Sequence, residues 1–168
     1  FIRLTFRYPS ANIDSLTDVS FTIDAGESVG IVGKTGCGKT TLADLILRCY
    51  NVEDATIFID GKDINEIKIN SLRNFCAYVP QDNFLFSDTI AKIIAFSSDT
   101  LDFAQIERAA ETSDIDGNIR GFVNGYETVL GERGVTVSGG QKQRISIARA
   151  LMKNSSILIM DDSVSAVD

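Results

Sequence analysis

The stretch GKTGCGKTT, Gly33 to Thr41, sets three glycines, two lysines and three threonines in an order suited to holding phosphate. It fits the pattern G-x-x-x-x-G-K-[ST], whose chemistry comes from backbone geometry. Gly33, Gly36 and Gly38 let the chain curl, so that the amides of Lys34, Thr35, Cys37 and their neighbours converge on phosphate oxygens. Lys39 then reaches the terminal phosphates, the Thr40 hydroxyl can ligate Mg²⁺, and Thr41 follows in a helix whose free first amides favour the same anion. Cys37 lies beside that helix start and Lys39, a setting that favours a reactive thiol.

A second group closes the chain. In ILIMDD, Ile157 to Asp162, an apolar run delivers two carboxylates. Asp161 is placed to hold Mg²⁺ through Thr40 or water, and Asp162 to act as a base toward water. A third group, VSGGQKQR from Val137 to Arg144, offers the amides of Gly139 and Gly140, the Ser138 hydroxyl and another helix start, with Gln141 completing SGGQ. The P-loop already surrounds the phosphates from one side. One chain therefore carries two half-sites, which predicts head-to-tail dimerisation around nucleotide. A P-loop kinase would leave SGGQKQR and SAVD unexplained.

These groups need elements to position them. Phe1–Phe6, Val19–Ile23 and Ser28–Val32 read as strands, with Ala25-Gly26 as a turn. Lys39–Tyr50 reads as a helix packed by Leu42, Leu45, Ile46 and Cys49, spaced i, i+3, i+4 and i+7. Thr56–Ile59 reads as a strand closed by Asp60-Gly61, and Cys76–Val79 as a strand ending at Pro80-Gln81. From Asp82 to Ser138 the character is helical, with Phe103, Ile106 and Ala110 on one face. Gln141–Lys153 reads as a helix with Ile145, Ala148 and Met152 inward, and Ile157–Met160 as a buried parallel strand. The expectation is an α/β fold with a helical subdomain: residues 1–81 and 141–168 form the core and 82–140 the insertion.

At 168 residues, with 44% hydrophobic and 23% charged content, the chain suits one soluble globular domain. Its 23 acidic against 16 basic residues, net −7, argue against a general nucleic-acid binder. No run approaches the roughly 18 apolar residues of a membrane span. Cys37, Cys49 and Cys76 lack metal-ligand spacing and read as free thiols in a reducing compartment.

Taken together, these motifs make the sequence resemble the nucleotide-binding domain of an ABC transporter, over essentially the whole chain. The resemblance implies a P-loop NTPase (RecA-like) core with N-terminal antiparallel strands, and ATP and Mg²⁺ as cofactors. Gly33–Thr40 corresponds to the Walker A motif, Ile157–Asp161 to Walker B, and Ser138–Gln141 to the signature that acts in trans. Tyr8, in FRYP, falls where the family stacks an aromatic on adenine. Gln81 matches the Q-loop glutamine, which touches Mg²⁺ or the attacking water and communicates with the membrane domain. Ser165, Ala166 and Asp168, in SAVD, match the D-loop across the dimer interface. VPQDNFLFSDTI (Val79–Ile90) and TVLGERG (Thr128–Gly134) resemble the exporter type, in which the second segment contacts a transmembrane domain. The implied location is the cytoplasmic face of the cell membrane.

Departures from the family pattern carry their own expectations. Val137 replaces the usual leucine, and Ala55 stands where glycine is common. No histidine is present, so the H-loop histidine and further core strands are expected to be missing from this piece. Asp162 stands where the family places a catalytic glutamate. It carries the same charge on a side chain one methylene shorter, and a misplacement of about 1 Å can cost on the order of 100-fold in rate. The expected catalytic set is Asp162, Gln81 and Lys39, in a site that binds MgATP well and hydrolyses it slowly. Such a site resembles the degenerate half of a heterodimeric exporter. A homodimer of slow ATPases, a non-hydrolysing regulatory subunit and a soluble ABC ATPase are the alternatives.

Overall fold

In β1, Leu4–Phe6, two buried side chains flank an exposed threonine, and β1 pairs antiparallel with β2, Leu16–Val19. The computed structural model describes residues 1–98, 101–131 and 136–161, and the chain divides into two units, Phe1–Phe75 and Cys76–Asp168.

In the first unit the opening strands are shorter than their apolar runs predict. Arg3 and Asp18 take φ of 48° and 50°, which breaks the ladder on both sides. Hydroxyls substitute for backbone partners there: Arg3 N donates to Ser20 Oγ and Asp18 N to Thr5 Oγ1. The second predicted strand therefore lies at Leu16–Val19 rather than Val19–Ile23, with Phe21 held instead by ring stacking on Phe1 at 4.3 Å. Ser28–Val32 is not a strand, and Val32 is 95% exposed. A fully apolar run becomes a sheet strand only where neighbours take up its amides and carbonyls, and none of the described residues does so.

Helix α1 runs from Lys39 to Ile46, ending earlier than predicted. Leu42 and Leu45 are buried, but Cys49 is exposed beyond the helix. The stop is a Schellman turn: Arg48 takes φ of 48°, its N–H donates to Leu45 O, and Cys49 N–H donates to Asp44 O. Glycine normally serves there. The Arg48 guanidinium compensates by donating to the carbonyls of Ile64 and Ile67.

The Asp60-Gly61 turn is as expected. Both residues have positive φ, 50° and 76°, and join β3, Phe58–Ile59, to β4, Lys62–Asp63, as an antiparallel hairpin. A 3-10 turn at Ile64–Glu66 and helix α2, Ile69–Phe75, complete the unit.

The second unit is built on β5, Cys76–Val79, paired in parallel with β6, Ile157–Met160, from Cys76↔Ile157 to Val79↔Met160. Between them in sequence lie α3, Ile90–Ile94; α4, Phe103–Thr112; α5, Asp116–Arg120; and α6, Gly139–Met152. Ile90, Ile93, Ile94, Ile106, Ile119, Ile145 and Ala148 form its buried centre. Phe103 does not join Ile106 and Ala110 there; as the first residue of α4 it is 46% exposed. β6 is likewise half-open, with Leu158 and Met160 exposed, because among the described residues it has one strand neighbour. Asp116 fastens the helical region, accepting from Arg120 Nε at 2.8 Å and from Tyr126 at 2.7 Å. The Thr128–Leu130 segment is tied down by Ile90 N–H donating to Thr128 O and Leu130 N–H donating to Asp88 O.

Ala55 occupies φ of 62°, with its N–H donating to the Asp63 carboxylate. That left-handed backbone explains why glycine suits the position: an L side chain is strained there. Ala55→Gly is expected to raise stability by roughly 0.5 kcal/mol, the relieved strain outweighing the added freedom of the unfolded chain. Denaturant unfolding measures it; an unchanged or lower midpoint refutes it.

Candidate functional site

The phosphate loop belongs to the first unit. Gly36 and Gly38 take φ of 82° and 97°. Space also demands glycine at 38, since a Cβ there would lie 2.7 Å from both the Leu16 side chain and Ser15 O. At Gly33 a Cβ would run into Cys37 Sγ, so the thiol packs inside the loop's curl while remaining exposed. Lys39 Nζ donates to Gly33 O at 2.9 Å and to Lys34 O at 3.2 Å, which holds the ammonium against the start of the loop.

The first turn of α1 has Gly38 as N-cap, no side-chain cap and no acidic residue. Its leading amides are left for an external acceptor, and the helix dipole favours an anion there. Thr40 is exposed and Thr41 buried.

Tyr8 reaches this same helix. Its hydroxyl oxygen lies within hydrogen-bonding distance of Thr41 Oγ1, at 3.1 Å, and of Asp44 Oδ2, at 3.3 Å. Its ring meets Phe6 and Tyr50 edge-on, at 5.1 and 5.0 Å. Burial, more than the neighbouring carboxylate, raises the phenol's pKa, so Tyr8 stays a proton donor. Asp44 is absent from the residues read out of the sequence. The available signal was its i, i+3 spacing from Thr41, which sets both on one helix face.

Asp161, Gln81 and the SGGQ motif belong to the second unit. Asp161 is 7% exposed, at the end of β6; its N–H donates to Val79 O, and Tyr78 Oη lies 3.4 Å from its carboxylate as donor. Parallel pairing of Tyr78 with Ile159 brings those two side chains together. Gln81 is exposed just past β5, its carbonyl accepting from Asn83 Nδ2.

Ser138 and Gln141 form a capping box on α6. Gln141 N–H donates to Ser138 Oγ at 3.2 Å, and Ser138 N–H donates to Gln141 Oε1 at 3.0 Å. The expectation for Ser138 is a hydroxyl directed at an anion; this box is not part of it, although S-x-x-Q is itself the capping signature. The Ser138 hydroxyl keeps its own proton to donate, and the amides of Gly139 and Gly140 lie in the first turn.

The expected metal ligands divide between the units, Thr40 in the first and Gln81 and Asp161 in the second. Among the described residues no three His, Cys, Asp or Glu side chains gather. A hydroxyl, an amide and one carboxylate are hard oxygen donors. They fit Mg²⁺, which binds through few protein ligands together with substrate phosphates. Asp162, Ser165, Ala166 and Asp168 lie outside the described residues, as do Glu132, Arg133 and Gly134 of the TVLGERG segment.

Residues 16–165 match the family model described as ABC transporter. The chain is 45% identical over 168 residues to a protein of Bacillus subtilis (strain 168) named probable multidrug resistance ABC transporter ATP-binding/permease protein, covering 100% of this chain and 29% of that one. It is 44% identical over 169 residues to the ATP-dependent lipid A-core flippase of Escherichia coli (strain K12), again at 100% and 29% coverage. Among solved structures, a bacterial Atm1-family ABC exporter with ATP bound matches at a TM-score of 0.92 and 42% identity, over 100% of this chain and 30% of that one. The chain thus spans less than a third of the length of these relatives.

Two outcomes follow from the loop and the cap. A maleimide on Cys37 is expected to abolish MgATP binding, and bound MgATP to protect the thiol; complete labelling with binding intact refutes this. Ser138→Ala is expected to cost about 1 kcal/mol through loss of the α6 cap, read as a lower denaturation midpoint. An unchanged midpoint shows that the capping box carries no stability.

Proposed function

The chain belongs to the ABC transporter family, and from that premise we propose that it is the ATP-hydrolysing motor domain of an exporter, working as a head-to-tail dimer around nucleotide. The observation that carries the reading is the bare first turn of α1 behind a loop of left-handed glycines. Residues 1–81 and 141–168 serve as its core, and 82–140 as the helical subdomain.

In this reading the amides of Gly33 through Thr41 and the Lys39 ammonium bind the phosphates, and Tyr8 stacks on adenine. Thr40, Asp161 and Gln81 hold Mg²⁺, which neutralises charge on the phosphates. Asp162 accepts a proton from the attacking water, which adds to the terminal phosphorus as the bond to ADP breaks. Ser138, Gly139 and Gly140 of one protomer close over nucleotide held by the Walker motifs of the other, and Ser165, Ala166 and Asp168 line that interface.

A transmembrane domain supplies the transport path, which the relatives named permease and flippase, more than three times the length of this chain, support; no helix among the described residues is long and apolar enough to cross a membrane. Exposed Phe84, Phe86 and Phe96 support its docking just beyond Gln81. Phe84 meets Phe86 edge-on at 5.2 Å, and Phe86 stacks on Phe96 at 5.0 Å, making a continuous aromatic face. The anchored Thr128–Leu130 segment, continuing to Gly134, supports a second contact. The domain then works at the cytoplasmic face of the membrane.

Asp162 makes this protomer's own Walker site slow, while its intact signature serves a faster site on a different partner chain. Asp162→Glu in the full-length pair is expected to raise steady-state ATPase activity by on the order of 10- to 100-fold, with MgATP affinity unchanged. The decisive comparison is repeated with the partner's site disabled. Equal turnover with Asp and Glu in both backgrounds removes the basis for a degenerate site.

A further inference from the structure

We propose that Asp44 is a positioning residue for base recognition, holding the Tyr8 phenol on α1 so that its ring is presented to the nucleotide base at a fixed place. The inference rests on the adenine-stacking reading of Tyr8.

Stacking needs an aromatic plane fixed in position and in rotation. Oη lies on the axis about which the ring turns, so bonds to it set the position of the ring tip without setting the rotation. Rotation is set by the neighbouring rings: Tyr8 packs against Phe6 at an interplanar angle of 81° and against Tyr50 at 86°. Position is set by Thr41 Oγ1 and Asp44 Oδ2, 3.1 and 3.3 Å from the phenol oxygen. One phenolic proton cannot serve both acceptors fully. A carboxylate only accepts, whereas the Thr41 hydroxyl can return a proton to the phenol, so the phenolic proton can pass to Asp44 while Thr41 donates to the phenol oxygen.

Nothing else among the described residues accounts for this carboxylate. Asp44 takes part in no ion pair there, and aspartate is a poor helix-interior residue. Thr41, three residues earlier, lies in the first turn of α1 directly behind the phosphate loop, so a single face of α1 ties the phenol to that turn.

The test measures MgATP binding to the full-length protein alongside inorganic tripolyphosphate, a probe that lacks the base. Asp44→Ala and Tyr8→Phe are each expected to weaken ATP by roughly 3- to 10-fold, the scale of one hydrogen bond. Tripolyphosphate affinity stays unchanged, and KM for ATP rises with kcat constant. The double variant binds no more weakly than either single one, because both remove the same bond. Asp44→Asn, which still accepts, restores wild-type affinity. If Tyr8→Ala weakens ATP but Asp44→Ala and Tyr8→Phe do not, stacking stands and the positioning role falls. If Tyr8→Ala also binds ATP normally, the stacking reading falls and takes this inference with it. Equal losses for ATP and tripolyphosphate mean that Asp44 acts on the loop itself, which also overturns the proposal.

Discussion

The conformation of Gly38 governs the first unit's chemistry. At φ of 97°, with no room for a Cβ, it lets the chain enter α1 without a side-chain cap. A serine or aspartate there would satisfy the first amides locally and remove them from any ligand. With glycine they are left open at the positive end of the helix dipole. The contact of Leu16 with Gly38 also places β2 against the loop, so the opening hairpin supports the turn proposed to bind phosphate.

The two helix starts proposed to meet nucleotide solve the same problem in opposite ways. α1 leaves its amides unmet and depends on an external anion. α6 meets its own through the Ser138–Gln141 box and stands ready without a ligand. In the proposed dimer this is a sensible division. The Walker loop must hold a triphosphate for itself, whereas the signature must offer a preformed surface to nucleotide that its partner holds.

What could be read from the sequence depended on the range of the forces involved. Asp60-Gly61, the separate strands Cys76–Val79 and Ile157–Met160, and the α6 helix rest on local backbone preference and periodicity and were legible, whereas the pairing of those two strands was not. The early end of α1 was not, because it depends on Arg48 reaching carbonyls at Ile64 and Ile67 to hold a backbone that glycine would usually occupy. Ser28–Val32 reads as a strand from composition alone, but pairing needs partners that lie elsewhere in sequence. In the candidate site, the left-handed turn at Gly36 and Gly38 was legible because glycine answers to backbone conformation. Asp44 was not, because its role appears only once β1 brings Tyr8 onto α1.

That last contact bears on how affinity is distributed across the nucleotide site. Phosphate binding by backbone amides is strong but indifferent to the base, so base preference must come from side chains that add little bulk and little flexibility. An aromatic on a freely turning side chain would lose rotamer entropy on each binding event. Tyr8 has much of that entropy removed beforehand, by its T-shaped contacts with Phe6 and Tyr50 and by Thr41 and Asp44 at its tip. Because Thr41 and Asp44 share a helix with the phosphate-binding turn, a shift of α1 moves both recognition elements together. In the proposed motor, base and phosphate are thus held by one rigid element.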